Sequence, residues 1–262
     1  MSPLRDTHVD ILSLNKDLRN GQKNTCKTGF TLAEVLITLG IIGIIAALTL
    51  PVLIANHKEK QTVTKLKKVY STFSNAYIQA INEYGTPDMW DNFAYEQETA
   101  ESTMVFFNKL KPYLQIVKEC DFNNRFDCWD TNDYFYCLNG NKSVLHIHNG
   151  FTKTFILQNG IKLGLYVHNT QTKPNPGCET NDNFWSCASL YVKTDNSNKQ
   201  VFGKNIFGFN FKHNVVTPFG KNANMQICSD LGDVCTAWVI FNENMEYTKC
   251  SDLSWNGKRK CN

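Results

Sequence analysis

The sequence predicts an α+β fold in which a long N-terminal helix, membrane-spanning at first and then amphipathic, packs on an antiparallel β-sheet head. Three observations carry the prediction. Val35 to Ala55 is an uncharged apolar run whose only hydroxyls are those of Thr38 and Thr49. Leu66, Val69, Tyr70, Phe73, Ala76, Tyr77, Ala80, Ile81 and Tyr84 then recur at three- and four-residue steps, the period of one helical face. Strand-like segments follow one another toward the C-terminus without alternating helices, which argues an antiparallel sheet.

The apolar run comes first in the argument because of its length. At about 1.5 Å per residue such a helix spans roughly the 30 Å hydrocarbon core of a bilayer. A buried helix of a soluble protein is rarely apolar on every side for so long. An ordinary secretory signal has a shorter apolar region followed by a small-residue cleavage site. Here a polar, mixed-charge segment, Met1 to Thr28, precedes Gly29-Phe30-Thr31-Leu32-Ala33-Glu34 at the lip of the run. A carboxylate against lipid is expensive unless a partner charge meets it. The helix dipole contributes only about 0.3–1 kcal/mol at an exposed site.

The words KTGFTLAEVLITLGIIGIIAALTLPVLI, Lys27 to Ile54, resemble the prepilin signature of type IV pilins and type II secretion pseudopilins. The resemblance implies cleavage by a prepilin peptidase between Gly29 and Phe30, with N-methylation of Phe30. It also implies that Glu34 neutralises the N-terminal amine of a neighbouring subunit in a filament, and that Pro51 kinks the helix. Two opposite charges buried together are tolerated where either alone is penalised. The implied partners are the peptidase, other pilin or pseudopilin subunits, an inner-membrane assembly platform and the membrane itself.

The expected organisation is a cytoplasmic leader over 1–29, a transmembrane and filament-core helix over 30–55, its amphipathic continuation over 56–84, and a disulfide-stabilised head over 85–262. Gly85-Thr86-Pro87 ends the helix. Charge does not set the orientation. The leader carries five Lys or Arg against three Asp, and the segment after the run carries five Lys against Glu59, so the positive-inside rule gives no support to an inward N-terminus. The cysteines do support it. Nine of the ten follow the run, on the side that becomes periplasmic or extracellular in a single-pass inner-membrane protein.

No CxxC pair suggests zinc, so disulfides are expected. The local pairs Cys178–Cys187, Cys228–Cys235 and Cys250–Cys261 are the candidate bridges, which leaves Cys120, Cys128 and Cys137 with one odd member. A helix is expected over Thr99–Leu114, with Met104, Phe106, Phe107 and Leu110 on its buried side, followed by a loop from Cys120 to Cys137. Strands are expected at Ser143–His148, at Thr152–Gln158 and Ile161–His168 around an Asn159-Gly160 turn, and near Ser189–Lys193, Ile206–Phe211 and Thr236–Phe241.

A net charge of +3 does not suggest nucleic acid as a partner. His146 and His148 share a strand face but lack a third ligand, and no nucleotide, nucleophile-elbow or metalloprotease motif occurs. No enzyme and no cofactor are therefore expected. Asp195 to Phe207 resembles the calcium loop of pseudopilin heads, although its glycine–proline part is missing and Asn205 stands where an aspartate is usual. Residues Thr236 to Cys261 resemble the disulfide-closed tail of bacterial prepilin-like proteins. The function expected is that of a filament subunit, a minor pilin or pseudopilin. The alternative is a pilin-anchored adhesin or DNA-uptake tip, suggested by the aromatic, cysteine-bearing loops with Trp129 and Trp185.

Overall fold

A computed structural model describes residues 29–90, 99–129, 134–143, 147, 150–168, 187–212, 214–221 and 223–261. The chain divides into two units, Met1–Val52 and Leu53–Asn262. The long helix α1, Leu32–Tyr84, runs through 53 residues. In the first unit its large apolar side chains are exposed on every side, Leu36, Ile37, Ile41, Ile44 and Leu48 among them. Thr38 and Thr49 cost little in this apolar stretch, because their hydroxyls donate back to the carbonyls of Glu34 and Ile45 at 3.0 and 2.9 Å.

The second unit buries the other half of α1. Leu66, Val69, Phe73, Ala76, Tyr77 and Ala80 are all at most 1% exposed, and they form the stripe that the three- and four-residue spacing predicts. The helix stops where Gly85 takes φ +79°, and its N–H caps the Ile81 carbonyl at 2.9 Å. That left-handed φ strains any residue with a Cβ, which favours glycine at the turn. Helix α2, Ala100–Leu110, starts at an N-cap in which Thr99 accepts from the Ser102 N–H, and it buries Phe106, Phe107 and Leu110.

Nine strands follow among the described residues: β1 Ile116–Cys120, β2 Phe135–Tyr136, β3 Lys142–Ser143, β4 Lys153–Leu157, β5 Lys162–Val167, β6 Ala188–Lys193, β7 Gln200–Val201, β8 Ile206–Phe211 and β9 Val216–Pro218. Six of them form an antiparallel sheet in the order β1-β4-β5-β6-β8-β9, and β3-β2-β7 form a small second sheet. The side-chain period of two divides each central strand between two cores. Leu163, Leu165 and Val167 of β5, Leu190 and Val192 of β6, and Phe207, Phe209 and Phe211 of β8 join the stripe of α1 and the rings of α2. From the opposite face, Tyr191 and Ile206 join a smaller cluster with Trp129, Phe135, Ile147 and Phe202. Both faces are covered, so β5 and β6 are buried along their full length. Each such buried large side chain contributes about 1.5–3 kcal/mol of transfer free energy.

Two expectations need correction, and a third falls largely outside the described residues. Thr236–Phe241 is not a strand: Thr236–Asn242 is helix α5, preceded by helix α4 at Met225–Leu231. A short apolar run reads equally as buried strand or buried helix, and tertiary contacts decide. Here the Ala237 N–H donates to the Phe219 carbonyl, and the Thr236 hydroxyl accepts from the Gly208 N–H at 3.0 Å, which anchors the first turn against the sheet. Cys120–Cys137 is not plain loop. It closes β1 and holds the short helix α3, Phe126–Trp129, and strand β2. Of the expected strand Ser143–His148 only Ser143 lies in a described strand, and residues 144–146 and 148 are outside the described residues.

Candidate functional site

The start of α1 is built by four consecutive residues, Thr31-Leu32-Ala33-Glu34. Glu34 Oε2 accepts from the Thr31 N–H at 2.8 Å and from its hydroxyl at 2.7 Å. In return the Glu34 N–H donates to Thr31 Oγ1 at 3.2 Å, and the Val35 N–H reaches the Thr31 carbonyl. This is a reciprocal capping box, Thr at the N-cap and Glu three residues on. It places the carboxylate at the positive end of the helix, next to Phe30, which is 87% exposed. The T-x-x-E spacing is the sequence signal for the role of Thr31.

A long helix whose exposed apolar half carries one acid, Glu34, in its first turn, preceded by Gly29-Phe30 and followed by an antiparallel sheet head, defines a type IV pilin-like protein. Residues 24–50 match the prokaryotic N-terminal methylation motif. Residues 52–232 match a family of unknown function (DUF6613), to which the chain belongs. No curated protein and no solved structure matches the chain.

The head carries the disulfides Cys120–Cys128, Cys228–Cys235 and Cys250–Cys261. Cys187 is disulfide-bonded as well, and its candidate partner Cys178 lies outside the described residues. Among the described residues Cys137 is the free thiol. Partial burial pushes its pKa up, and the nearby Asp233 carboxylate adds to the effect.

The loop that resembles a calcium site is closed by an amide. Asn205 Nδ2 lies 3.0 Å from Asp195 Oδ1, 2.5 Å from Ser197 Oγ and 2.9 Å from the Lys199 carbonyl, and Asn205 Oδ1 accepts from the Val201 N–H at 2.7 Å. Three oxygens thus converge on one nitrogen, where an oxygen-ligated cation would be held. Among the described residues no group of three His, Cys, Asp or Glu side chains is placed to hold a metal. His146 and His148 are outside the described residues.

The two tryptophans offered as binding residues fare differently. Trp129 is fully buried, and its Nε1 donates to Gln200 Oε1 at 2.5 Å, so it serves the second core. Trp185 lies outside the described residues. One further polar cluster ties the C-terminal tail to α1. Glu59 accepts from the Met245 N–H at 2.7 Å and from Lys249 at 3.0 Å, while Glu246 accepts from Lys249 at 3.0 Å and from the Cys261 N–H at 2.9 Å. The Cys261 amide, helped by Lys249, holds the Glu246 carboxyl below its ordinary range.

Proposed function

We propose that this pilin-like chain is a structural subunit, a minor pilin or pseudopilin, of a type IV pilus or type II secretion-like filament. The observation that carries the reading is the isolation of Glu34. It is the only ionisable side chain from Phe30 to Asn56, and it stands in the first turn of a helix whose apolar surface is open on every side. Such a helix is stable in lipid or among copies of itself, where a lone carboxylate calls for a cation. Cutting after Gly29 supplies one, the new amine of Phe30 on a neighbouring subunit. A prepilin peptidase makes the cut and methylates Phe30. Before assembly the chain spans the inner membrane once, its leader in the cytoplasm and its head outside, and it enters the filament through the assembly platform. Its role is assembly, not catalysis.

The test is a pair of substitutions read in cells for processing and for presence in sheared filaments. Glu34→Gln keeps the hydrogen-bonding shape of the cap but not the charge, and Glu34→Ala removes both. Both variants are expected to be cleaved, and both to be depleted from filaments. Normal incorporation of Glu34→Gln would overturn the charge-pairing mechanism.

A further inference from the structure

A pocket of about 250 Å³ opens beside the C-terminal disulfide loop, lined by Lys221, Phe241, Asn242, Trp255 and Arg259. No carboxylate is in that lining. Lys221 makes no ion pair or hydrogen bond among the described residues, and Arg259 donates to the Trp255 carbonyl at 3.4 Å. Asn242, at the end of α5, has a buried Nδ2 with no hydrogen-bond partner among the described residues. That nitrogen is closed to solvent, so the groups the pocket offers a ligand are the two cations and the rings.

Two aromatic rings wall the pocket. Phe241 is 51% exposed, although residues 236–240 of its helix are buried. Trp255 is held in place: its Nε1 donates to the Ala223 carbonyl at 2.9 Å, and its ring meets Trp238 edge-on at 5.2 Å. The Cys250–Cys261 bridge closes the loop that carries both Trp255 and Arg259. The Trp255 wall is therefore ordered before any ligand arrives, which lowers the entropy lost on binding.

Size and chemistry together narrow the occupant. Water takes about 30 Å³ per molecule, so the volume suits one six-membered ring with its substituents rather than a longer ligand. A guanidinium and an ammonium suit a carboxylate. The ring faces suit the C–H face of a pyranose. A nucleic-acid strand would ask for several cations along a track. Here Lys258 is taken by Asp252 at 2.7 Å and Lys249 by Glu59 and Glu246. We propose that this pocket binds one acidic sugar residue, a uronate or similar carboxylated pyranose of a surface polysaccharide. The proposal deepens the filament reading by giving the head a ligand, and it draws on that reading only in placing the head outside the membrane.

The experiment uses the full chain in detergent micelles, titrated at fixed ionic strength with sodium glucuronate, glucose, sodium acetate and oligothymidylate. Tryptophan emission and calorimetry report binding. Glucuronate is expected to bind at least tenfold tighter than glucose or acetate. Arg259→Gln and Lys221→Gln, checked for an unchanged circular dichroism spectrum, are each expected to weaken it about tenfold, and Phe241→Ala at least threefold. Equal binding of glucose, acetate and glucuronate, tighter binding of oligothymidylate, or insensitivity to both Arg259→Gln and Lys221→Gln would each overturn the proposal. The readout needs no filament, so a failure of Glu34-dependent assembly leaves it untouched.

Discussion

Asn205 donates from its side-chain Nδ2 to Asp195 Oδ1 at 3.0 Å, and the same nitrogen serves Ser197 Oγ and the Lys199 carbonyl. An amide thus supplies the positive pole on which three oxygens converge. We propose that the loop needs no cation. The unfolding temperature of the protein is expected to be the same in calcium and in EDTA. Asn205→Asp would turn the pole into a fourth oxygen and is expected to lower stability by about 1–3 kcal/mol without metal, recovered in millimolar calcium. A calcium-dependent unfolding temperature for the unsubstituted protein would count against this view.

Thr31 and Glu34 cap each other, so Thr31→Ala tests the helix start apart from the charge. The substitution is expected to cost about 0.5–2 kcal/mol of local helix stability. Amide hydrogen exchange of Leu32 to Val35 in micelles should speed up, while exchange in the Leu66–Ala80 stretch stays unchanged. Equal acceleration in both stretches would assign Thr31 a global role instead.

The Glu246 carboxyl, held low by the Cys261 amide and then by Lys249, makes the tail sensitive to acid. Its folded pKa lies below its unfolded one, so the contribution is present at neutral pH. It is lost as pH falls from the ordinary carboxylate range through the folded value. Unfolding midpoints measured between pH 7 and pH 3 should therefore fall less steeply in Glu246→Gln than in the unsubstituted chain. Identical slopes would remove Glu246 from the acid response.

The Cys250–Cys261 bridge spans 11 positions and fastens the last described residues. In the chain-entropy model a loop of this size is worth about 3 kcal/mol. Replacing both cysteines by serine is expected to lower stability by about that amount and to weaken glucuronate binding, since Trp255 and Arg259 lie inside the loop. Unchanged thermal unfolding would show the tail to be energetically separate from the head.

Gly220 tests the packing of α5 and its approach. It has φ +84°, and a Cβ would sit 1.7 Å from the Val234 carbonyl oxygen. Gly220→Ala meets backbone on one side and a left-handed conformation on the other. A loss of more than about 3 kcal/mol is expected, seen as a large fall in the denaturation midpoint. A loss under about 1 kcal/mol would mean that the turn can rearrange.

By itself the sequence determined the features that depend on near neighbours in the chain. The apolar run, the Thr31–Glu34 spacing, the stripe from Leu66 to Ala80 and the Asn159-Gly160 turn all act within a few residues, so they are readable without the fold. The succession of strand-like segments without helices between them likewise announced an antiparallel sheet. Only the tertiary structure decided what depends on distant partners. Thr236–Asn242 became a helix because Phe219 and Gly208 meet its first turn. Trp129 went inward because Gln200 accepts its N–H, and Asn205 gained its role from oxygens up to ten residues away. The pocket of Lys221, Asn242 and Arg259 was illegible for the same reason. Its members are scattered over 39 positions and are gathered only when α5 and the disulfide loop pack together.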